Sequence, residues 1–343
     1  MLKLRRGVVV AEDPLTVEVD GERRRAWSDA ALVGEVRHGD EVIVNTEALD
    51  LGLGSGGYDV VHVNLTRGLD AAGSQGPHVM KLNYTSLQHP VEPVERSEEE
   101  MAGSAAIAAP VLVIPLHGHL APAAWAAASV EPGLRVGYVQ TSGGALSGSL
   151  SRDVGELRSA DLLCGHVTAA PAFGGEREAI SVAGALDGAI HRLGWQAVIA
   201  GPGPGILGSA SRYGHGGMAA LDTAHAALAL GLPTLLSPRL SAADPRQRHR
   251  GVSHHTRAVL DLLLGGVEIA VPEGESSIIA ELEPLLDGRH TMRVELAELE
   301  RYARSGLPAR TMGRGPEEDA LFYEAPLAAG RRLAALAQGT GGS

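Results

Sequence analysis

From about residue 108 the chain repeats one pattern that few folds can satisfy. A short, continuous apolar run is followed by an Ala- and Leu-rich stretch, again and again. "PVLVIPL" precedes "APAAWAAASV", "LRVGYVQ" precedes "SGSLSRDVGELRSA", and "LLCGHVTAA" precedes "EREAISVAGALDGAIHRLG". "WQAVIAG" precedes "GGMAALDTAHAALALG", "PTLLSPRL" precedes "SHHTRAVLDLLLGG", and "VEIAVP" precedes "SSIIAELEPLLDG". Strands that are apolar along their whole length must be buried on both faces, as in a parallel sheet between helices. The helical members end near Gly194, Gly231, Gly265 and Gly288, which suit helix C-terminal positions. The pattern predicts a doubly wound, mostly parallel, Rossmann-like three-layer α/β domain over residues 106–338, with about six strands.

Upstream the pattern is different. Residues 1–66 hold short Val- and Ile-rich runs separated by Asp-Gly and Gly-Asp signals, which predicts a small β-barrel-like module. That module also suits a regulatory or dimer-supporting role. Residues 67–105 are rich in Gly, Pro and acidic residues and are expected to be a linker, with "HVMKLNYTSLQ" extended and ordered. Residues 339–343 are expected to be a flexible tail.

Composition narrows the function. The net charge of −12 argues against a nucleic-acid partner, although a local Arg cluster can still hold a small anion. The only lysines are Lys3 and Lys81, so Schiff-base or phosphate-loop chemistry would have to use one of them. Cys164 is the sole cysteine, which excludes an internal disulfide and a multi-thiolate zinc site. No apolar run approaches about 18 residues and no signal peptide is evident, so a cytoplasmic protein with no membrane partner is expected.

The unusual residues fall just after the predicted strands, where ligands bind in open α/β sheets. Strand-to-helix loops are commonly about 2–6 residues. Here "PGPGILGSASRYGHGG" (202–217) and "SAADPRQRHRGVSHHT" (241–256) are far longer. "GPGILG" (203–208) fits G-x-G-x-x-G, but the acidic residue expected after the next strand is missing, so no dinucleotide cofactor is assigned and the cofactor is left unknown. The glycines still suit backbone contacts to an anion, with Thr141, Ser142, Gly143 and Gly144 in one loop and Gly203, Gly205, Ser209 and Arg212 in another. No G-x-S-x-G is present.

In "RHRGVSHHT", Ser253 is placed to cap a helix whose first residues are His254 and His255. The helix dipole there disfavours a protonated imidazole and favours an anion, which suits a neutral histidine as acid/base. Arg246, Arg248 and Arg250 supply positive charge, with Asp244, His249 and Glu176 as further binding candidates. His117 is a third catalytic candidate. The alternative is a metal-dependent hydrolase using His117 and His119, an H-x-H pair on one side of a continuing strand, with His215 and His254. The second alternative is a non-catalytic ligand-binding or regulatory protein, and a homodimer fits any of the three.

The combination of "YDVVHVN", "TSGGALS", "AFGGEREAI", "GPGPGILG", "RHRGVSHHT" and "TMGRG" resembles a bacterial family, domain of unknown function 3866, across nearly the whole chain. The resemblance implies one full-length unit and carries no catalytic assignment. The expected function is therefore an enzyme that binds a small phosphate-, carboxylate- or nucleotide-like ligand at the carboxyl rim of the sheet.

Overall fold

The computed structural model describes all residues except 54, 55, 71, 74, 75, 78, 103–107, 210 and 341–343. It divides into two compact units, Met1–Val91 and Glu92–Ser343. The division lies inside the stretch expected to be linker. Part of that expected stretch, and most of the expected tail, lie outside the described residues.

The first unit is a closed five-stranded barrel. Its strands are β1 (Leu4–Glu12), β2 (Leu15–Val19), β3 (Glu22–Trp27), β4 (Glu41–Asn45) and β5 (Asp59–Asn64), in the order β1-β2-β3-β5-β4. Short helices α1 (Ala30–Val33) and α2 (Glu47–Asp50) join them. The predicted Asp-Gly turn forms between β2 and β3, with Asp20 and Gly21 both at positive φ. Alternating valines, including Val9, Val17, Val42, Val44 and Val61, fill the interior. A separate antiparallel pair, β6 (Val79–Lys81) and β7 (His89–Val91), orders part of the segment read as linker.

The second unit begins with α3 (Glu98–Ala102) and is built on an eight-stranded, all-parallel sheet. Along the chain come β8 (Val111–Val113), α4 (Leu120–Val130), β9 (Val136–Thr141), α5 (Arg152–Ser159), β10 (His166–Ala169), β11 (Arg177–Ala179) and α6 (Val182–His191). Then follow β12 (Ala197–Pro202), α7 (Ala219–Ala229), β13 (Thr234–Leu236), the short pair β14 (Leu240–Ser241) and β15 (Gly251–Val252), and α8 (His254–Leu262). The unit ends with β16 (Glu268–Pro272), α9 (Ser276–Leu286), β17 (Thr291–Glu295), α10 (Leu299–Ala303) and α11 (Ala320–Thr340). Strand order is β11-β10-β9-β12-β8-β13-β16-β17.

Two of the eight strands were not expected. Arg177–Ala179 lies inside a stretch that reads as helix, but Ser181 caps α6 through Gly184 N (2.9 Å), so the helix starts only at Val182. Thr291–Glu295 is a largely exposed edge strand without the apolar run that marks the others.

Both faces of the sheet are covered. Helices α4, α5, α10 and α11 pack on one face around Leu112, Tyr138 and Ile199. Helices α6, α7, α8 and α9 pack on the other around Val113, Val139 and Ile269. The helices after β8 and β9 therefore leave by one face, and those after β12 and β13 by the opposite face. Loops diverge where these strands adjoin, and a crevice opens at their carboxyl ends.

Candidate functional site

Loops from the carboxyl ends of β8, β9, β12 and β13, together with residues 310–312, enclose a cavity of about 530 Å³. Arg152, Arg239, Arg246, Arg248 and Arg310 line it, and Asp153 is the carboxylate among its described lining residues.

One wall carries a serine–histidine pair. Ser151 Oγ lies 2.7 Å from His117 Nε2, and both residues are buried. His117 Nδ1 faces the Pro202 carbonyl at 3.3 Å. A carbonyl can only accept, so Nδ1 carries the proton and Nε2 accepts from the Ser151 hydroxyl. Ser151 Oγ in turn accepts from Val154 N (3.1 Å) as the N-cap of α5. The Tyr138 hydroxyl lies 3.0 and 2.9 Å from the Gly201 and Pro202 carbonyls and edges the imidazole. Burial lowers the His117 pKa, opposed by Asp153, whose carboxylate is 3.9 Å from Nε2. The ring is neutral near pH 7.

The opposite wall is cationic. Arg239 is 2% exposed. Its Nη2 lies 3.3 Å from Asp244 Oδ2 and its Nη1 3.2 Å from His255 Nδ1, while Nε has no partner. Burial pulls Arg239 down to about 10, and Asp244 opposes the shift, so the group stays charged at neutral pH. Asp244 is fully buried behind this wall. Burial works against its charge, yet Arg246, bonded at 3.0 Å to each carboxylate oxygen, holds its pKa well below the ordinary range. Arg314 bridges Asp244 (3.5 Å) and Asp319 (3.2 Å), and Asp319 accepts from Ser241 Oγ at 2.6 Å. This chain of buried ion pairs fixes the loop from which Arg246 and Arg248 project.

Four histidines pack beside it. The rings of His215 and His255 stack 3.6 Å apart at 8°, and His254 lies 4.4 Å from His255 and 4.8 Å from His249. Burial, helped by the arginines, lowers His249 to about 3 and His254 to about 4, and pushes His255 further down. Ser253 caps α8 as the sequence predicts, accepting from His255 N at 3.2 Å.

Ligand atoms of His215, His254 and His255 lie within 4.8 Å of one another, and His215 Nδ1 and His254 Nε2 are buried without partners. The set fits a metal poorly. Arg239 occupies the His255 Nδ1 lone pair, and stacked rings run their in-plane lone pairs side by side. His117 and His119 do not join this group. They fall in a 3-10 turn after β8 has ended, so they diverge instead of sharing a strand face. His119 Nδ1 lies 2.9 Å from Ser237 Oγ, its ring edges Phe322, and burial brings its pKa to about 3.

The Gly-rich loops pack closely against each other. A Cβ on Gly144 would lie 2.1 Å from the Gly203 carbonyl oxygen, and one on Gly216 would lie 1.8 Å from that of Gly143. Gly143, Gly144 and Gly203 thus let the loops after β9 and β12 interlock backbone to backbone. Gly205 and Ser209 remain as cavity lining.

Several other candidates lie away from the cavity wall. Thr141 is buried, its hydroxyl 3.3 Å from the carbonyl of Ser142. Ser253 is buried with Oγ 2.7 Å from His249 Nδ1. Glu176 pairs with Arg158 at 2.5 Å, and Arg212 pairs with Asp261. Arg248, His249, His255 and His117 do line the cavity, while His254 packs behind His249 and His255. Sequence reasoning missed Ser151, Arg239 and Arg310. The first hides in a stretch read as continuous helix, the second inside an apolar run, and only the "TMGRG" segment flagged the third region.

Fold and site together define an α/β protein with a cationic crevice at the carboxyl end of a parallel sheet. The chain belongs to the family described as protein of unknown function DUF3866, whose family model matches residues 25–330. No curated protein and no solved structure matches it. Among the described residues, no helix is long and apolar enough to cross a membrane.

Proposed function

We propose that this protein is an enzyme that binds a small anionic substrate in the crevice and moves a proton with a neutral histidine. The observation that carries the reading is Arg239: a buried cation in the wall of a cavity lined by further arginines. Burying a charged group is costly, and an anion in the cavity beside it offsets that cost through charge. The reversal of helix direction between the adjoining β8 and β12 supports the same location, as in Rossmann-like sheets.

His117 fits the proton-transfer role better than His254 or His255. It lines the cavity, and its tautomer leaves Nε2 free to accept a proton. The Arg239 bond to His255 Nδ1 leaves that ring with only an Nε2–H to offer, a donor to an anion and not a base.

The test is a thermal-shift panel of inorganic phosphate, nucleotides and small dicarboxylates. A ligand at about 100 times its Kd raises Tm by roughly 4–5 °C, and Arg248→Ala abolishes the shift. No stabilisation by any anion overturns the reading, and stabilisation without turnover points to a binding or regulatory protein. The His215, His254 and His255 set fits a metal poorly, and its two unpartnered ring nitrogens are the one observation against that conclusion. A Zn2+ or Co2+ arm, with His254→Ala, tests it in the same experiment.

A further inference from the structure

We infer that Ser151 is a nucleophile, activated by His117, toward small carboxylic esters that carry an anionic group. The inference deepens the proposed function, on which its substrate class rests. Four observations converge. The hydroxyl is 2.7 Å from an imidazole nitrogen that the Pro202 carbonyl forces to be the acceptor. The Val154 N–H takes one lone pair of Oγ, so the proton points at His117 and a second lone pair is left for attack. Ser151 and His117 both line the cavity. The same cavity is lined by Arg239 and Arg248.

The third position of the relay is a backbone carbonyl instead of a carboxylate. Pro202 O holds Nδ1–H, and Tyr138 lies against the same carbonyl at 2.9 Å, so both are positioning groups for the ring. Asp153, 3.9 Å from Nε2, favours the imidazolium once it forms.

The chemistry balances without any further reactant except water. Ser151 Oγ attacks the ester carbonyl carbon as its proton passes to His117 Nε2, giving a tetrahedral oxyanion. The carbon–oxygen bond to the alcohol breaks, and the departing alkoxide takes the proton from His117. Water then attacks the acyl-serine, giving a proton to His117, which returns it to Ser151 as the carboxylate leaves.

Ser253 provides an internal control. It also caps a helix and also sits 2.7 Å from a histidine nitrogen, that of His249, but it is fully buried and does not line the cavity. A serine–histidine bond alone is a structural device there. Access to the cavity is what separates Ser151 from it.

The experiment treats the full chain with a neutral dialkyl fluorophosphonate and maps the adduct by mass spectrometry. The serine–phosphorus bond forms, fluoride leaves, and the proton goes to His117. The expected result is a single adduct on Ser151 with Ser253 unmodified, and at least about 100-fold slower labelling in His117→Gln. Ser151→Ala removes the adduct, with Tm reported to show that the variant folds. No adduct on the folded parent, an adduct elsewhere, or labelling of Ser151 unchanged in His117→Gln overturns the inference. The probe carries no anionic group, so its outcome is independent of the thermal-shift panel. Anion stabilisation without labelling leaves the proposed function standing and removes only the nucleophile. Labelling without anion stabilisation keeps Ser151 and removes the anionic substrate class.

Discussion

Asp244 is the residue on which the cationic wall depends. It is fully buried and holds Arg239, Arg246 and Arg314 on one carboxylate. Removing one partner of a buried pair leaves the other charge uncompensated, which costs about 3–5 kcal/mol. Asp244→Ala is therefore expected to lower unfolding free energy by about that amount in urea titration. Loss of less than about 1 kcal/mol would show that Arg239 finds another partner or reaches water. At this scale the sequence was unevenly readable. Ser253 was recognisable because a small hydroxyl residue directly ahead of an apolar-periodic run has one common structural use. Arg239 was not, because "LLSPRLS" reads locally as strand. What makes its charge matter, the carboxylate of Asp244 and the ring of His255, arrives through tertiary packing.

At the scale of elements, the loops after β9 and β12 behave as one piece. Gly216 can approach Gly143 only because neither has a side chain in the way, and a methyl group at Gly216 would meet backbone, which cannot swing aside. Overpacking of this kind costs typically about 1–3 kcal/mol. Gly216→Ala should lower unfolding free energy by about 1–3 kcal/mol, seen as a lower denaturation midpoint, and weaken anion stabilisation, since Ile206 and Gly208 of the displaced loop line the cavity. An unchanged midpoint would show that the loops do not interlock. The same residues show why a glycine motif alone is ambiguous. A Gly-rich loop after a strand suits phosphate binding and close backbone packing equally, and only the neighbouring loop decides between them. The strands of the sheet were legible wherever they were buried on both faces, because burial leaves an unbroken apolar run. Where a strand sits at an edge, as β11 and β17 do, polar residues are tolerated and that signature disappears.

For the whole molecule, the buried histidines couple stability to pH. His119 and His166 are both lowered to about 3, chiefly by burial. An unfolded chain binds a proton at each ring near the ordinary histidine value, about 6.5, while the folded chain refuses it until about pH 3. Stability is thus fully present above the unfolded value and is lost as pH falls from about 6.5 toward 3. Each ring contributes about 1.4 kcal/mol per pH unit across that window. These two rings alone lower unfolding free energy by about 4 kcal/mol between pH 7 and pH 5, the lowered histidines beside Arg239 act in the same direction, and a flat profile in urea titration would show that the rings accept protons in the folded state.

The order of strands also sets a timetable. β8 is the first strand of its sheet to be synthesised, yet it pairs with β12 and β13, whose residues lie well over eighty positions later. Its helix α4 waits longer still for α11, which lies so close that Gly330 sits against the backbone of Ala123. The central strand of the sheet is therefore made long before its partner strands exist. Native pairing of β8 begins only when β12 has been made, and its helix is covered only once α11 has followed.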